Sequence, residues 1–294
     1  MCQLNSTINF SIFDSNKILS NENPIAEGGF GSIYKGKYLS NPIVKKQMKK
    51  LDIPVFLKEI INTHIYRGNS SPAIYGMCED VLSTQDNKKL STPSIIIEYI
   101  NGGDLRHSIN HLDDCKVKLP ENKLRFLIYM IELAKELDYI HAKHLIHFDL
   151  KPENVLVDEY DNIKLCDFGS SFQWSNDSVS YKHVGSDYYL APEIFAHHRG
   201  YDAGKADIWS LGIMLHFMLT NNFPFDGNSE REILGSYFMS NISLKELEVV
   251  CPDDVSCHAL LSSMLHKNPE MRPSIMEVLQ HEWFLNHIEE LSFK

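Results

Sequence analysis

Three things are scarce in this sequence. Cysteine is the first: six residues (Cys2, Cys78, Cys115, Cys166, Cys251 and Cys257) are scattered over 294 positions, and no two form a C-x-x-C pair. That spacing excludes a zinc ribbon and does not read as a disulfide framework; buried thiols in a reducing compartment account for it. Long apolar runs are the second. The most apolar stretch, Ile208 to Leu219, carries Ser210, Gly212 and His216, and it falls well short of the roughly 18 apolar residues that span a bilayer. Met1 to Phe13 contains no basic region leading into an apolar core, so no signal peptide is read. Positive charge is the third: 28 Lys and Arg against 39 Asp and Glu leave a formal charge of −11. A general nucleic-acid binder needs a basic patch to replace counterions, and this balance argues against one. A local site can still oppose the global charge, so small anionic ligands stay open. The expectation is an intracellular, cytoplasmic protein, with nuclear entry open, no nucleic-acid or membrane partner, and a monomer by default.

What is there points to two lobes. The length allows about two units of roughly 150 residues. Residues 1–17 are polar and mixed, a loose lead-in. From Ile18 to Ile97 short β-type runs alternate with turn residues: Gly31–Tyr38, Ile43–Val44, Ala73–Cys78 and Ser94–Tyr99. One helix interrupts them near Val55 to Tyr66, with Phe56, Ile60 and Thr63 on one face and Glu59 on its flank. Gly102-Gly103 breaks the pattern. Helices then dominate. Leu124, Leu127, Ile128, Ile131, Ala134 and Leu137 repeat at helical spacing, and Ile208 to Leu219 is apolar nearly all round, as in a helix buried at the centre of the second lobe. Short strands are predicted at Val155–Val157 and Ile163–Cys166, joined by the turn Glu159-Tyr160-Asp161-Asn162. A cleft between two such lobes is a natural ligand site.

The chemistry-bearing segments follow in order. Ala26-Glu27-Gly28-Gly29-Phe30-Gly31 is rich in glycine, which lets backbone N–H groups approach a phosphate, but alone it is as well read as a plain turn. Lys45 lies in Pro42-Ile43-Val44-Lys45-Lys46. On a strand only one of two neighbours points inward, so Lys46 competes with Lys45. Glu59 is a candidate partner, though two unrelated surface charges would read the same way. Then come His147-Phe148-Asp149-Leu150-Lys151-Pro152-Glu153-Asn154, Asp167-Phe168-Gly169 and Ala191-Pro192-Glu193. One carboxylate can accept a hydroxyl proton, a second can hold a divalent cation, an amide oxygen can complete the metal shell, and a lysine can neutralise transferred charge.

In their order and spacing these segments resemble the eukaryotic-type protein kinase family, over about Ile18 to His287. The resemblance implies an α+β bilobal fold, with a β-rich lobe at about 18–97, a hinge at 98–103, a helical lobe at 104–287 and a tail at 288–294. It implies ATP and Mg²⁺ as cofactors and transfer of a phosphate to Ser or Thr hydroxyls of protein substrates, since Lys151-Pro152-Glu153-Asn154 and Gly185-Ser186-Asp187-Tyr188-Tyr189-Leu190 look like the Ser/Thr branch. By the same resemblance Ala26, Glu27, Gly28, Gly29, Phe30 and Gly31, with Ile33 after them, would cover the nucleotide. Lys45, held by Glu59, would contact its phosphates. Ile97 would back the adenine, the backbone of Glu98 and Ile100 would bond its edge, and Asp104 would lie near the ribose. Asp149 would take the substrate proton and Lys151 would sit by the transferred group. Asn154 and Asp167 would bind the metal. Glu193 would pair with Arg272, and Asp207 would brace the catalytic loop.

The sequence departs from the family at three points. Ala26 replaces a first glycine. Pro42-Ile43-Val44 stands where Val-Ala-Ile is usual, so an N–H is missing at Pro42. Phe148 replaces the arginine that receives an activation-loop phosphate, which leaves Ser170, Ser171, Ser175, Ser178, Ser180, Tyr181 and Ser186 without that partner. A pseudokinase scaffold is the alternative reading, and a small-molecule phosphotransferase a third. His141, His144, His147, His197, His198, His281 and His287 read as structural or surface residues, and Cys166 as a structural thiol. Asp104 and Glu153 should flank the peptide groove, and with the acidic balance of the whole chain they imply a preference for basic residues N-terminal to the acceptor hydroxyl.

Overall fold

The chain was analysed as a computed structural model, which describes residues 11–21, 23–27, 31–48, 53–66, 71–83, 89–114, 119–174, 187–195, 202–225, 232, 235–236 and 254–292. It divides into two compact units, Met1–Asn101 and Gly102–Lys294. The first is β-rich and the second helical, the α+β arrangement expected.

The first unit is a seven-stranded sheet. Its strands are β1 (Ser11–Phe13), β2 (Ile18–Ser20), β3 (Ala26–Glu27), β4 (Gly31–Tyr38), β5 (Asn41–Met48), β6 (Ile74–Ser83) and β7 (Lys89–Glu98). They lie in the order β1-β6-β7-β5-β4-β2, with β3 paired to β4. The run Ile95-Ile96-Ile97 explains the centre of this sheet. Successive residues of a strand point to opposite faces. Ile96 packs with Ile18, Ile43 and Cys78 on one face. On the other, Ile95 packs with Met48, Phe56 and Ile60, and Ile97 joins that group. Phe56 and Ile60 come from helix α1 (Ile53–Tyr66), so α1 covers the second face. β5 is longer than the two residues its composition suggests, because it pairs with both β4 and β7 along its length. Tertiary pairing overrides the poor strand propensity of Lys45 and Lys46. Pro42 precedes the first β5–β7 pair, Ile43 with Glu98, so its missing N–H falls at the strand's start. Gly31 is required by contact: a Cβ there would lie 2.4 Å from the Gln47 carbonyl oxygen.

The second unit holds α2 (Leu105–Asp114), α3 (Leu119–Ala142), α4 (Pro192–Phe195), α5 (Gly204–Thr220), α6 (Val255–Met264), α7 (Ile275–Leu279) and α8 (Glu282–Ser292). Two small ribbons join them: β9 (Val155–Val157) with β10 (Ile163–Leu165), and β8 (Leu145–Ile146) with β11 (Phe172–Gln173). Every residue of α5 from Ala206 to Leu219 is buried, which is why its sequence shows no polar face. Among the described residues no helix is long and apolar enough to cross a membrane.

One buried ion pair ties α4 to the segment after α6. Arg272 Nη1 and Nη2 donate to the two Glu193 carboxylate oxygens, each at 2.7 Å, with both side chains fully enclosed. Two of its three remaining N–H groups are used as well: Nε donates to the His266 carbonyl at 2.8 Å and Nη1 to that of Lys205 at 2.9 Å. The guanidinium lies 4.8 Å from the Trp209 ring centre. Removing one member of such a pair strands a buried charge. Arg272→Met is expected to cost about 3 kcal/mol or more. A thermal melt followed by circular dichroism should show its midpoint several degrees lower; an unchanged midpoint would show that the pair carries no net stability.

Candidate active site

The second unit builds its site around the loop after β8. Asp207, in the first turn of α5, is fully buried. One of its oxygens accepts from the His147 N–H and the other from the Phe148 N–H, both at 2.9 Å. His141 Nε2 lies 2.9 Å from the same carboxylate. Burial alone would push this acid up, but the bonds from His141, the charge of the two histidines and the Phe148 N–H hold it below the usual carboxylate range. Phe148 has φ +66°, a left-handed conformation that costs a bulky residue free energy. The two N–H bonds to Asp207 hold it there.

With the backbone fixed, the side chains fall together. Lys151 Nζ is 2.9 Å from Asp149 Oδ2. Asn154 Nδ2 donates to that same oxygen at 3.1 Å and to the Asp149 carbonyl at 2.7 Å. Both donors act on one oxygen and set the carboxylate in one orientation. The donation also turns the Asn154 amide oxygen the other way, the atom a hard cation would take. The Asn154 carbonyl accepts from the Cys166 N–H at 2.9 Å, which ties the loop to Asp167 at the next position. Asp167 is itself left-handed, at φ +63°. His147 is enclosed: Nε2 lies 3.1 Å from the Cys166 carbonyl oxygen, and the ring meets Phe168 edge-on at 5.0 Å. It is a packed structural residue.

Phe148 is buried and meets Phe172 edge-on at 5.2 Å. Ser171 is fully buried and its hydroxyl donates to the His147 carbonyl at 3.0 Å; Ser170 is buried too. Neither is accessible to a modifying enzyme. Ser175, Ser178, Ser180, Tyr181 and Ser186 lie outside the described residues, as do Gly28, Gly29 and Phe30.

The first unit corrects one assignment. The ion pair to Glu59 is made by Lys46, not Lys45: Lys46 Nζ is 2.7 Å from Glu59 Oε1, and both side chains are buried. The reason is register. Directly opposed residues of an antiparallel pair share a face. Lys46 opposes Ile95 and Lys45 opposes Ile96. Ile95 faces α1, which carries Glu59, and Ile96 faces the other side. Extending the strand from Val44 through Lys46 to Met48 supplies the signal; Ile43–Val44 alone leaves the phase of alternation open. Ile97 lies on the Lys46 face. Ala26 and Glu27 pair with Ile33 and Ser32 of β4, and Glu27 accepts from the Ser32 hydroxyl at 3.2 Å. The Glu98 N–H donates to the Ala73 carbonyl at 2.8 Å. Ile100 is buried. Asp104, in the second unit, caps α2: its Oδ1 accepts from the His107 N–H at 2.7 Å. The adjoining Gly102 is held close to β9, where a Cβ would lie 2.4 Å from the Val157 carbonyl oxygen.

A cation fits the donor set of the second unit in one respect. An amide oxygen and a carboxylate, Asn154 and Asp167, suit Mg²⁺, which takes few protein ligands and fills its shell with water and phosphate oxygens. Among the described residues no group of three or more His, Cys, Asp or Glu could hold a metal, so a self-sufficient protein cage of that type is not what these residues build.

Comparison with known proteins agrees with this geometry. The protein kinase domain model matches residues 19–284. Among relatives, CBL-interacting protein kinase 1 of Oryza sativa subsp. japonica is 37% identical over 193 residues, covering 65% of this chain and 39% of that protein. CBL-interacting serine/threonine-protein kinase 18 of Arabidopsis thaliana is 29% identical over 280 residues, covering 92% of this chain and 50% of its own length. CBL-interacting protein kinase 28 of Oryza sativa subsp. japonica is 30% identical over 272 residues, with coverages of 88% and 57%. This chain therefore spans less than two thirds of the length of each of these relatives. The chain belongs to the protein kinase family.

The Asp207 clamp sets a pH expectation. A carboxyl held below its unfolded value, about 3.9, stabilises the fold above that value and loses the contribution as pH falls through the lower folded one. Asp207→Asn can accept only one of the two backbone N–H bonds and should lower the melting midpoint at pH 7 by an amount equal to about 1–3 kcal/mol. The gap between wild type and variant should narrow below about pH 4. A gap that is constant from pH 7 to pH 3 would show that the charge of Asp207 contributes nothing.

Proposed function

We propose that this chain catalyses transfer of the γ-phosphate of ATP, with Mg²⁺, to Ser or Thr hydroxyls of protein substrates. The observation that carries the reading is the trio Asp149, Lys151 and Asn154, locked on one carboxylate oxygen by bonds of 2.9 and 3.1 Å. In this reading Asp149 accepts the proton of the substrate hydroxyl as the oxygen attacks phosphorus. Its orientation is prepaid by Lys151 and Asn154, and positioning is most of what such a reaction asks of the protein. Lys151 neutralises charge on the transferred group. Asn154 and Asp167 hold the cation, which when bound offsets the phosphate charge. In the first unit Lys46, steadied by Glu59, contacts the nucleotide phosphates. The segment 26–31 with Ile33 covers the nucleotide, and Ile97, Glu98, Ile100 and Asp104 bind its base and ribose. The domain runs from 18 to 287, with 98–103 as its hinge. A non-catalytic scaffold draws no support from the relatives, and the residues needed for transfer are present.

The lysine assignment gives the sharpest check. With a generic basic protein as acceptor, Lys46→Met should reduce transfer by about a hundredfold or more, and Asp149→Asn should do likewise. Lys45→Met should retain most of the activity. Loss in Lys45→Met with retention in Lys46→Met would reverse the assignment, and full activity in Asp149→Asn would defeat the reading itself.

The Phe148–Phe172 contact bears on activation. A phosphate orders a loop by charge-assisted bonds to a cation, and an apolar pair offers none. Phosphatase-treated protein, with its loop shown bare by mass spectrometry, should keep its rate to within about tenfold, or about 1.4 kcal/mol in the barrier. A larger fall would mean that another cation reads a loop phosphate.

A further inference from the structure

The hinge residues that follow β7 are held from two sides within the first unit. β7 ends at Glu98. The Glu98 N–H donates to the Ala73 carbonyl at 2.8 Å, and Glu98 Oε2 accepts from the Ala73 N–H at 2.9 Å. This reciprocal pair fastens the first hinge residue to the start of β6. Tyr99 lies past the last β5–β7 pair, Ile43 with Glu98. A side chain from β4, sixty-four positions earlier, reaches it instead. Lys35 Nζ donates to the Tyr99 hydroxyl at 2.7 Å and lies 4.0 Å from the centre of its ring. Ile100, the next residue, is buried.

Register says which face this lysine occupies. Lys35 opposes Val44, Val44 opposes Ile97, and Ile33 opposes Lys46. Opposed residues share a face, so Lys35 stands with Ile33, Val44, Lys46 and Ile97, on the face that the phosphotransfer reading gives to the nucleotide. Ile33, Lys35, Val44, Ile97 and Tyr99 are all half-buried, so this face is not closed by the unit's own core. A lysine is an odd choice beside an apolar base, because its ammonium is strongly hydrated and its stem flexible. Here a single neutral side chain takes up the ammonium, offering it a hydroxyl lone pair and an aromatic face together. The charge is drawn to the hinge, and the methylene stem is left on the nucleotide face.

We propose that Lys35 is a positioning residue for nucleotide binding: by clamping Tyr99 it presets the backbone of Glu98 and Ile100 at the adenine edge. The inference rests on the phosphotransfer reading and adds to it a residue outside the glycine-rich segment, the Lys46–Glu59 pair and the catalytic loop. Fixing a residue in one backbone conformation costs ordering free energy. A hinge already fixed in the free protein spares the nucleotide that cost, and the saving appears as affinity. With the clamp removed, Tyr99 regains freedom, and the nucleotide must order it on binding. The base is bound alike before and during transfer. The clamp therefore supplies uniform binding, which is read in Kd and KM, and leaves the chemical step alone.

The test uses the full chain. Mg-ADP binding is read by isothermal titration calorimetry, and phosphotransfer to a generic basic protein is followed against ATP concentration. Lys35→Met should weaken ADP by about tenfold and raise the KM for ATP by a similar factor, with kcat within about twofold of wild type. The melting midpoint of the nucleotide-free protein should stay where it is. Lys35→Arg should keep most of the affinity, since a guanidinium both stacks on a ring and donates to a hydroxyl. Tyr99→Leu should weaken ADP as much as Lys35→Met does, and the double variant should bind no more weakly than either. Tyr99→Phe, which keeps the ring and loses the hydroxyl, should fall between wild type and Tyr99→Leu. The inference fails if Lys35→Met binds ADP as wild type does, or if the loss falls on kcat and not on KM. It fails too if the two single losses add in the double variant, which would make Lys35 and Tyr99 separate contacts. A nucleotide-free Lys35→Met protein that melts several degrees lower would also overturn it, by showing that the bond serves the sheet as a whole. ADP binding that responds as expected, with no transfer to any acceptor, would defeat the phosphotransfer reading and leave this one standing. A wild-type chain that takes no ADP overturns both.

Discussion

Two backbone N–H groups, of His147 and Phe148, converge on the buried carboxylate of Asp207, and the site depends on that convergence. A left-handed phenylalanine is a poor choice for any free loop. Once α5 presents the carboxylate, the same conformation satisfies two donors that burial would otherwise leave bare. The turn it creates delivers Asp149 to Lys151 and Asn154, and the Asn154 carbonyl in turn fixes the Cys166 N–H beside Asp167. A helix buried on every side is thus more than core. It is the rigid post from which the reactive loop hangs, and its buried carboxylate, Asp207, is tolerated there because it is fully bonded.

The second unit was legible from sequence because its functional groups are close in the chain. Asp149, Lys151 and Asn154 span six positions, and a motif of that length carries its own geometry. The buried character of α5 was legible for a similar reason, since a long run with no polar face fits only a core. Lys46 was not legible. Two adjacent lysines differ only in the phase of strand alternation, and that phase is set by β7 and α1, distant in sequence. Asp104 shows the opposite case, a carboxylate whose position before a helix suited an N-cap as readily as a ligand.

The two aromatic contacts near the catalytic loop divide its work. Phe148 on Phe172 fastens the loop to the segment that follows Asp167 by an apolar contact, insensitive to salt and to phosphate. The Phe217, Phe223 and Tyr189 rings pack together, and the Ser210 hydroxyl ties the Tyr189 carbonyl to α5. Low local dielectric raises the worth of whatever hydrogen bond is completed there. Rigidity is thus concentrated beside the loop that carries Asp149, Lys151 and Asn154.

The first strand has a consequence for solubility. β1 runs parallel to β6 over Ser11–Phe13 against Gly76–Cys78, and Phe13 meets Tyr38 edge-on at 4.6 Å. Without it, Gly76–Cys78 would lose their outer partner and extend the unpaired side of the ten-residue strand β6, whose amides and carbonyls could then template pairing with a second molecule. Three residues at the rim of the sheet therefore act as a guard against self-association, and trimming the chain past Phe13 would trade a short edge for a long one.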